Sequence, residues 1–136
     1  MNRPAPSVGL HLLADLHGVD AGLLRDGPTL ESLLRRAAGD AGARLLGSHF
    51  HSFGAAGGIT GIVLLAESHM SIHTWPEVGL AAVDIFMCGV ADPQRALAVV
   101  IDAMAPAHRH VETVVRGFVN HCASAALSSR AAHDPA

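Results

Sequence analysis

Three side chains with chemistry of their own fall within one short stretch. They are the Ser68 hydroxyl, the His73 imidazole five residues on, and the Cys88 thiol twenty residues on from the serine. A hydroxyl becomes a nucleophile when a base takes its proton. Imidazole titrates near neutral pH and suits that task, and a thiol acts as an acid when its surroundings tune it. No common motif organises the three: the chain has no GxSxG elbow, no Walker loop, no GxGxxG and no CxxC. Taken singly, each has a plain structural explanation. A serine after Glu67 suits a turn at a strand end, and Cys88 suits core packing. His69 and His73 stand at i and i+4, a metal-pair spacing on a helix. Ile72, Thr74, Trp75 and the nearby Pro76 argue against a helix there, HExxH is absent, and no metal site is expected.

The string carries more than its members. Glu67-Ser68-His69, then Ser71-Ile72-His73-Thr74-Trp75-Pro76-Glu77, then Cys88, closely resembles the self-cleavage site of the prokaryotic S-adenosylmethionine decarboxylase proenzymes, a pyruvoyl-dependent family. The resemblance runs from about Gly9 to Gly117 and is densest from Thr60 to Gly89. It implies cutting of the Glu67-Ser68 bond, giving a β chain of residues 1–67 and an α chain of residues 68–136. Ser68 then supplies the catalytic pyruvoyl cofactor, which holds the substrate amine as a Schiff base and accepts electrons as carbon dioxide leaves. The resemblance assigns His73 as the processing base and Cys88 as the acid that protonates the substrate α-carbon. Phe53 lies where the family places an aromatic against adenine, and Glu77 where a carboxylate accepts the ribose hydroxyls. It also implies a homodimer with its pocket near the subunit interface, and a product that feeds spermidine synthesis.

Self-cleavage makes definite demands. The Ser68 hydroxyl must attack the Glu67 carbonyl carbon in an N-to-O acyl shift. The oxyanion that forms needs a hydrogen-bond donor beside it, and the ester then breaks by β-elimination, which needs a base. On an extended strand Ser68 and His73 are an odd number of residues apart and face opposite sides. A kink, a turn or approach from an adjacent strand is therefore required. The chain departs from the family at two places. Thr60 stands where the related enzymes carry a serine that aids processing; threonine keeps the hydroxyl but stiffens χ1. The loop Gly54 to Gly58 replaces one containing proline and tyrosine. Two other readings thus stay open: the same scaffold acting on L-ornithine or L-arginine, and an uncleaved, non-catalytic homologue.

The elements that must hold these residues can be read from periodicity. Val8 to Leu16 reads as an apolar strand, and Gly27-Pro28-Thr29 as a break. Leu30, Leu33, Leu34, Ala37, Ala38 and Ala41 form one face of an amphipathic helix, with Gly42 as its stop. Arg44 to Phe53 reads as a strand, Gly54 to Gly58 as a hairpin-like loop, and the β-branched run Ile59 to Ala66 as a buried strand. Ser68 to His73 continues or pairs with it, Pro76 ends regular structure, and Leu80 to Cys88 is another strand. Asp92-Pro93 starts a helix that Pro106 stops, and Val111 to Arg116 alternates as a last strand. The tail from Ser128 to Ala136 is small and polar, and disorder is expected there. The expected fold is a single α+β domain: a two-layer sandwich of a mostly antiparallel sheet with two helices on one face. The other face is left for a second subunit.

Composition narrows the function classes. The 136 residues carry a formal net charge of −3 and no basic block, which speaks against nucleic acid. Apolar runs such as Ile62 to Ala66 are too short to span a bilayer, and Met1 to Pro6 leads into no apolar signal region. Cys88 and Cys122 make no disulfide framework, so a reduced, cytoplasmic protein is expected. Half the residues are hydrophobic and only 15% charged, which fits either a buried subunit interface or simply an alanine-rich composition.

Overall fold

Alternation along the strands and a helical apolar stripe in two segments set the architecture. The computed structural model describes residues 8–117. In chain order the elements are β1 (Gly9–His17), α1 (Ala21–Leu24), α2 (Gly27–Asp40), β2 (Leu45–Ser52), β3 (Ile59–Leu65), β4 (Ser68–Trp75), β5 (Leu80–Cys88), α3 (Pro93–Met104) and β6 (His108–Arg116). A 3₁₀ turn at Pro76–Val78 joins β4 to β5, as the proline requires. The strands form one sheet in the order β2-β3-β4-β5-β1-β6, and every neighbouring pair is antiparallel. This is the expected α+β two-layer sandwich. Cys122 and the stretch from Ser128 to Ala136 lie outside the described residues.

One face of the sheet meets α2 and α3. Leu30, Leu33, Leu34, Ala37 and Ala38 of α2, and Ala96, Leu97, Val100 and Met104 of α3, are buried against it. The sheet contributes alternate residues: Leu12, Ala14 and Leu16 from β1, Met70 and Ile72 from β4, and Ala81, Val83, Ile85 and Met87 from β5. Each such aliphatic side chain contributes roughly 1.5–3 kcal/mol when taken out of water, so this face fixes the register of every strand. No described helix lies on the other face.

Three sequence expectations need correction. Gly27-Pro28-Thr29 is the first turn of α2 rather than a break. The Asp26 carboxylate accepts from Thr29 N at 3.1 Å and Thr29 Oγ1 at 2.7 Å, and proline is tolerated in a first turn. Those bonds from Thr29 hold the Asp26 carboxyl below its ordinary value. A carboxylate depressed in the folded state stabilises above its unfolded range, and that contribution is lost as pH falls through the folded value. Second, β3 is buried on one face only. Ile59, Val63 and Leu65 are buried, whereas Ile62 and Leu64 are 39% and 52% exposed on the bare face. A β-branched run looks the same in either setting. Third, the short helix α1 was not foreseen. Its Leu24 carbonyl accepts a hydrogen bond of 2.7 Å from the buried Thr74 hydroxyl, which in turn accepts from Ile59 N at 2.8 Å.

The Gly61 position is set by its neighbour. Gly61 lies opposite Phe50, and a Cβ there would overlap the Phe50 ring. Gly61→Ala should therefore destabilise the fold by about 1–3 kcal/mol. Urea unfolding would read this as a lower midpoint at an unchanged slope.

Candidate active site

Residues Ala66 and Glu67 make a two-residue turn between β3 and β4, with Leu65 paired to Ser68. Glu67 sits at φ 60°, the left-handed region that a residue with a Cβ occupies at a cost of roughly 1–2 kcal/mol. Strain is thus stored next to the Glu67-Ser68 bond. Across the strand end, Cys88 closes on the turn with two hydrogen bonds. Its thiol donates to the Glu67 carbonyl oxygen at 3.1 Å, and its backbone N–H donates to Ser68 Oγ at 3.3 Å. The carbonyl that Ser68 would attack is therefore polarised by a donor already in place. Glu67, Ser68 and Cys88 form one cluster.

A second cluster occupies the opposite end of β4. Thr60 of β3 lies across from His73, and the Thr60 hydroxyl is 3.0 Å from His73 Nδ1. Phe53, Thr60, His73, Trp75 and Glu77 line a cavity of about 280 Å³. Gly58 closes its floor: a Cβ there would overlap the Thr74 carbonyl. Phe53 is 62% exposed and stands edge-on to the His51 ring at 4.7 Å. The four residues Phe53, Thr60, His73 and Glu77 are thus brought together by the hairpin β2-β3 and the turn after β4.

The two clusters are not joined within one chain. β4 is regular throughout, without the kink that Ser68 and His73 would need. Its five-residue span places them about 16 Å apart. His69 and His73 lie on the same strand four residues apart, about 13 Å, too far to share a metal ion. Among the described residues no three His, Cys, Asp or Glu side chains converge as metal ligands. No described helix is long and apolar enough to cross a membrane. His73, Thr60 and Cys88 all point to the bare face: their strand neighbours Thr74, Ile59 and Met87 face the helices.

The family profile described as S-adenosylmethionine decarboxylase matches residues 10–117. The chain belongs to that family. It is 44% identical over 118 residues to a protein of Aquifex aeolicus named S-adenosylmethionine decarboxylase proenzyme, with 85% of each chain covered. It is 36% identical to the Moorella thermoacetica protein of the same name, covering 90% of this chain and 98% of that one. The crystal structure of the adenosylmethionine decarboxylase from Aquifex aeolicus superposes with a TM-score of 0.78 at 41% identity, over 86% of this chain and 97% of that one.

For a member of this family, the bare face carries more than its sequence announces. His51, Thr60 and His73 stand in one row across β2, β3 and β4. His69, Phe86 and His11 form a second row across β4, β5 and β1, with neighbouring ring centroids 5.7–5.9 Å apart. Arg116 closes on it from β6, its guanidinium carbon 5.7 Å from the Phe86 centroid. Alternation assigns each of these to a face. Only the strand order, which no local pattern encodes, makes them neighbours.

Proposed function

We propose that this chain is a self-processing, pyruvoyl-dependent decarboxylase of S-adenosyl-L-methionine that produces the aminopropyl donor for spermidine synthesis in the cytoplasm. The observation that carries the reading is the contact of the Cys88 thiol with the Glu67 carbonyl, beside Ser68 and at a turn held at positive φ. Ser68 attacks that carbonyl, the thiol supports the oxyanion, and an imidazole takes the Cα proton of residue 68 as the ester breaks. The chain divides into residues 1–67 and 68–136. Elimination leaves a dehydroalanine at residue 68, whose hydrolysis releases ammonia and gives the pyruvoyl group that would supply the electron sink for decarboxylation. Cys88, freed from its bond to the departed carbonyl, donates the proton to the substrate α-carbon. Phe53 and Trp75 offer aromatic faces to adenine and sulfonium, and Glu77 accepts from the ribose hydroxyls.

The working site is composite. The Cys88 thiol, with the Glu67-Ser68 bond it touches, stands at one end of the bare face, and Thr60, His73, Phe53 and Glu77 at the other. A two-fold axis lying between two such faces, across the middle of β4, lays the first end of one chain over the second end of its partner. Each homodimer then holds two complete sites. Ile62, Leu64 and Trp75, exposed in the single chain, become buried.

Competition among substrates tests the activity. Carboxyl-labelled S-adenosylmethionine should release labelled carbon dioxide, and a hundredfold excess of L-ornithine or L-arginine should leave that rate unchanged. Labelled carbon dioxide from either amino acid instead would move the reading to an amino-acid decarboxylase.

A further inference from the structure

We infer that Arg116, held by His11, binds the carboxylate of the substrate beside Cys88; this rests on the reading of the site as a decarboxylase of S-adenosylmethionine. Cys88, Gly9 and Arg116 are paired in register across β5, β1 and β6, one row along the bare face. The middle position has no side chain. A Cβ at Gly9 would overlap the Met87 carbonyl and stand 3.1 Å from both Cys88 Sγ and the Phe86 ring. Glycine therefore lets the Cys88 thiol and the Phe86 ring close over this position, with Arg116 on its far side. Two strand spacings, about 10 Å between Cα atoms, separate Cys88 from Arg116, a distance that an arginine side chain and a carboxylate bound to it can span.

The Arg116 guanidinium is held in place with donors unspent. Arg116 NH1 lies 3.1 Å from His11 Nδ1, and a guanidinium can only donate. His11 Nδ1 is therefore the acceptor in this contact, and the ring's Nε2 is enclosed with no partner among the described residues. Arg116 keeps its other N–H groups. Among the described residues the one ion pair is His110 with Glu112, so no described carboxylate pairs with Arg116. A fork of donors resting on an aromatic face matches a planar carboxylate. The substrate carboxylate is bonded to the carbon that Cys88 protonates, so this is the anion that must lie nearest the thiol.

A guanidinium that grips the scissile carboxylate loses its contact as neutral carbon dioxide forms. The contact therefore favours substrate binding more than the transition state. Arg116→Gln should raise KM for S-adenosylmethionine about tenfold or more while kcat changes less than about threefold. The affinity for the decarboxylated product, measured by calorimetry on processed protein, should stay within about twofold. Arg116→Lys should recover part of the lost KM. An unchanged KM, or equal losses of affinity for substrate and product, would overturn the inference. A wild-type protein that releases no carbon dioxide would instead overturn the underlying activity, and the product titration separates the two cases.

Discussion

Ser68→Ala should leave a single chain of 136 residues that folds like the wild type, is never cut, and releases no carbon dioxide from S-adenosylmethionine. Every step of the account runs through that hydroxyl. In the proposed reaction it is the nucleophile for the Glu67 carbonyl, and residue 68 becomes the cofactor. The expected effect is therefore total, unlike the partial losses that follow removal of one supporting donor, which cost about 10²–10³ in rate. Alanine at the first position of β4 removes one hydrogen bond, from Cys88 N at 3.3 Å, and leaves the pairing of Leu65 with residue 68 in place. Thermal unfolding within a few degrees of the wild type, with one band on a denaturing gel, checks this. Cleavage of the Ser68→Ala chain would show that another residue makes the cut.

The second large effect comes from combining two inert variants. His73→Ala should also remain uncut if, as proposed, His73 supplies the processing base to its partner. In a homodimer of either variant both sites are defective. Co-expressed, half of the dimers are mixed at random assembly. In those, Ser68 of the His73→Ala chain meets His73 of the Ser68→Ala chain. The His73→Ala chain should then be cut, to about half at most, while the Ser68→Ala chain stays whole. About a quarter of the sites should be active. Mass spectrometry distinguishes the two chains by their substitutions. Failure of the His73→Ala chain to be cut in the mixture would place His73 and Ser68 in one subunit, against the roughly 16 Å that β4 sets between them.

Much of this was legible before the fold. The string from Glu67 to Glu77 with Cys88 pointed to the family to which the chain belongs and to the groups proposed to react. Alternation located β4 and β5, and Asp92-Pro93 began α3. What sequence could not supply was the relation between elements. The parity of Ser68 and His73 posed a conflict that a kink or a neighbouring strand was expected to resolve. The regular pairing of β4 shows that neither does within one chain. The part of Cys88 in the precursor was likewise hidden, since its 3.1 Å contact with Glu67 depends on the register of β4 with β5. His11 and Arg116 are 105 residues apart and meet because β6 pairs with β1 rather than with β5. Local propensity has no access to that choice. The apparent break at Gly27-Pro28 misled for a simpler reason: proline opens a helix as readily as it ends one, and the capping Asp26 decides which.

Intact-mass spectrometry of the purified protein, after incubation with S-adenosylmethionine and reductive trapping, tests the central claim most directly. The account predicts two fragments that divide between Glu67 and Ser68. The fragment of residues 68–136 should carry the added mass of the decarboxylated substrate, and the fragment of residues 1–67 none. An unmodified 136-residue species, or a cut without an adduct on residue 68, would contradict it.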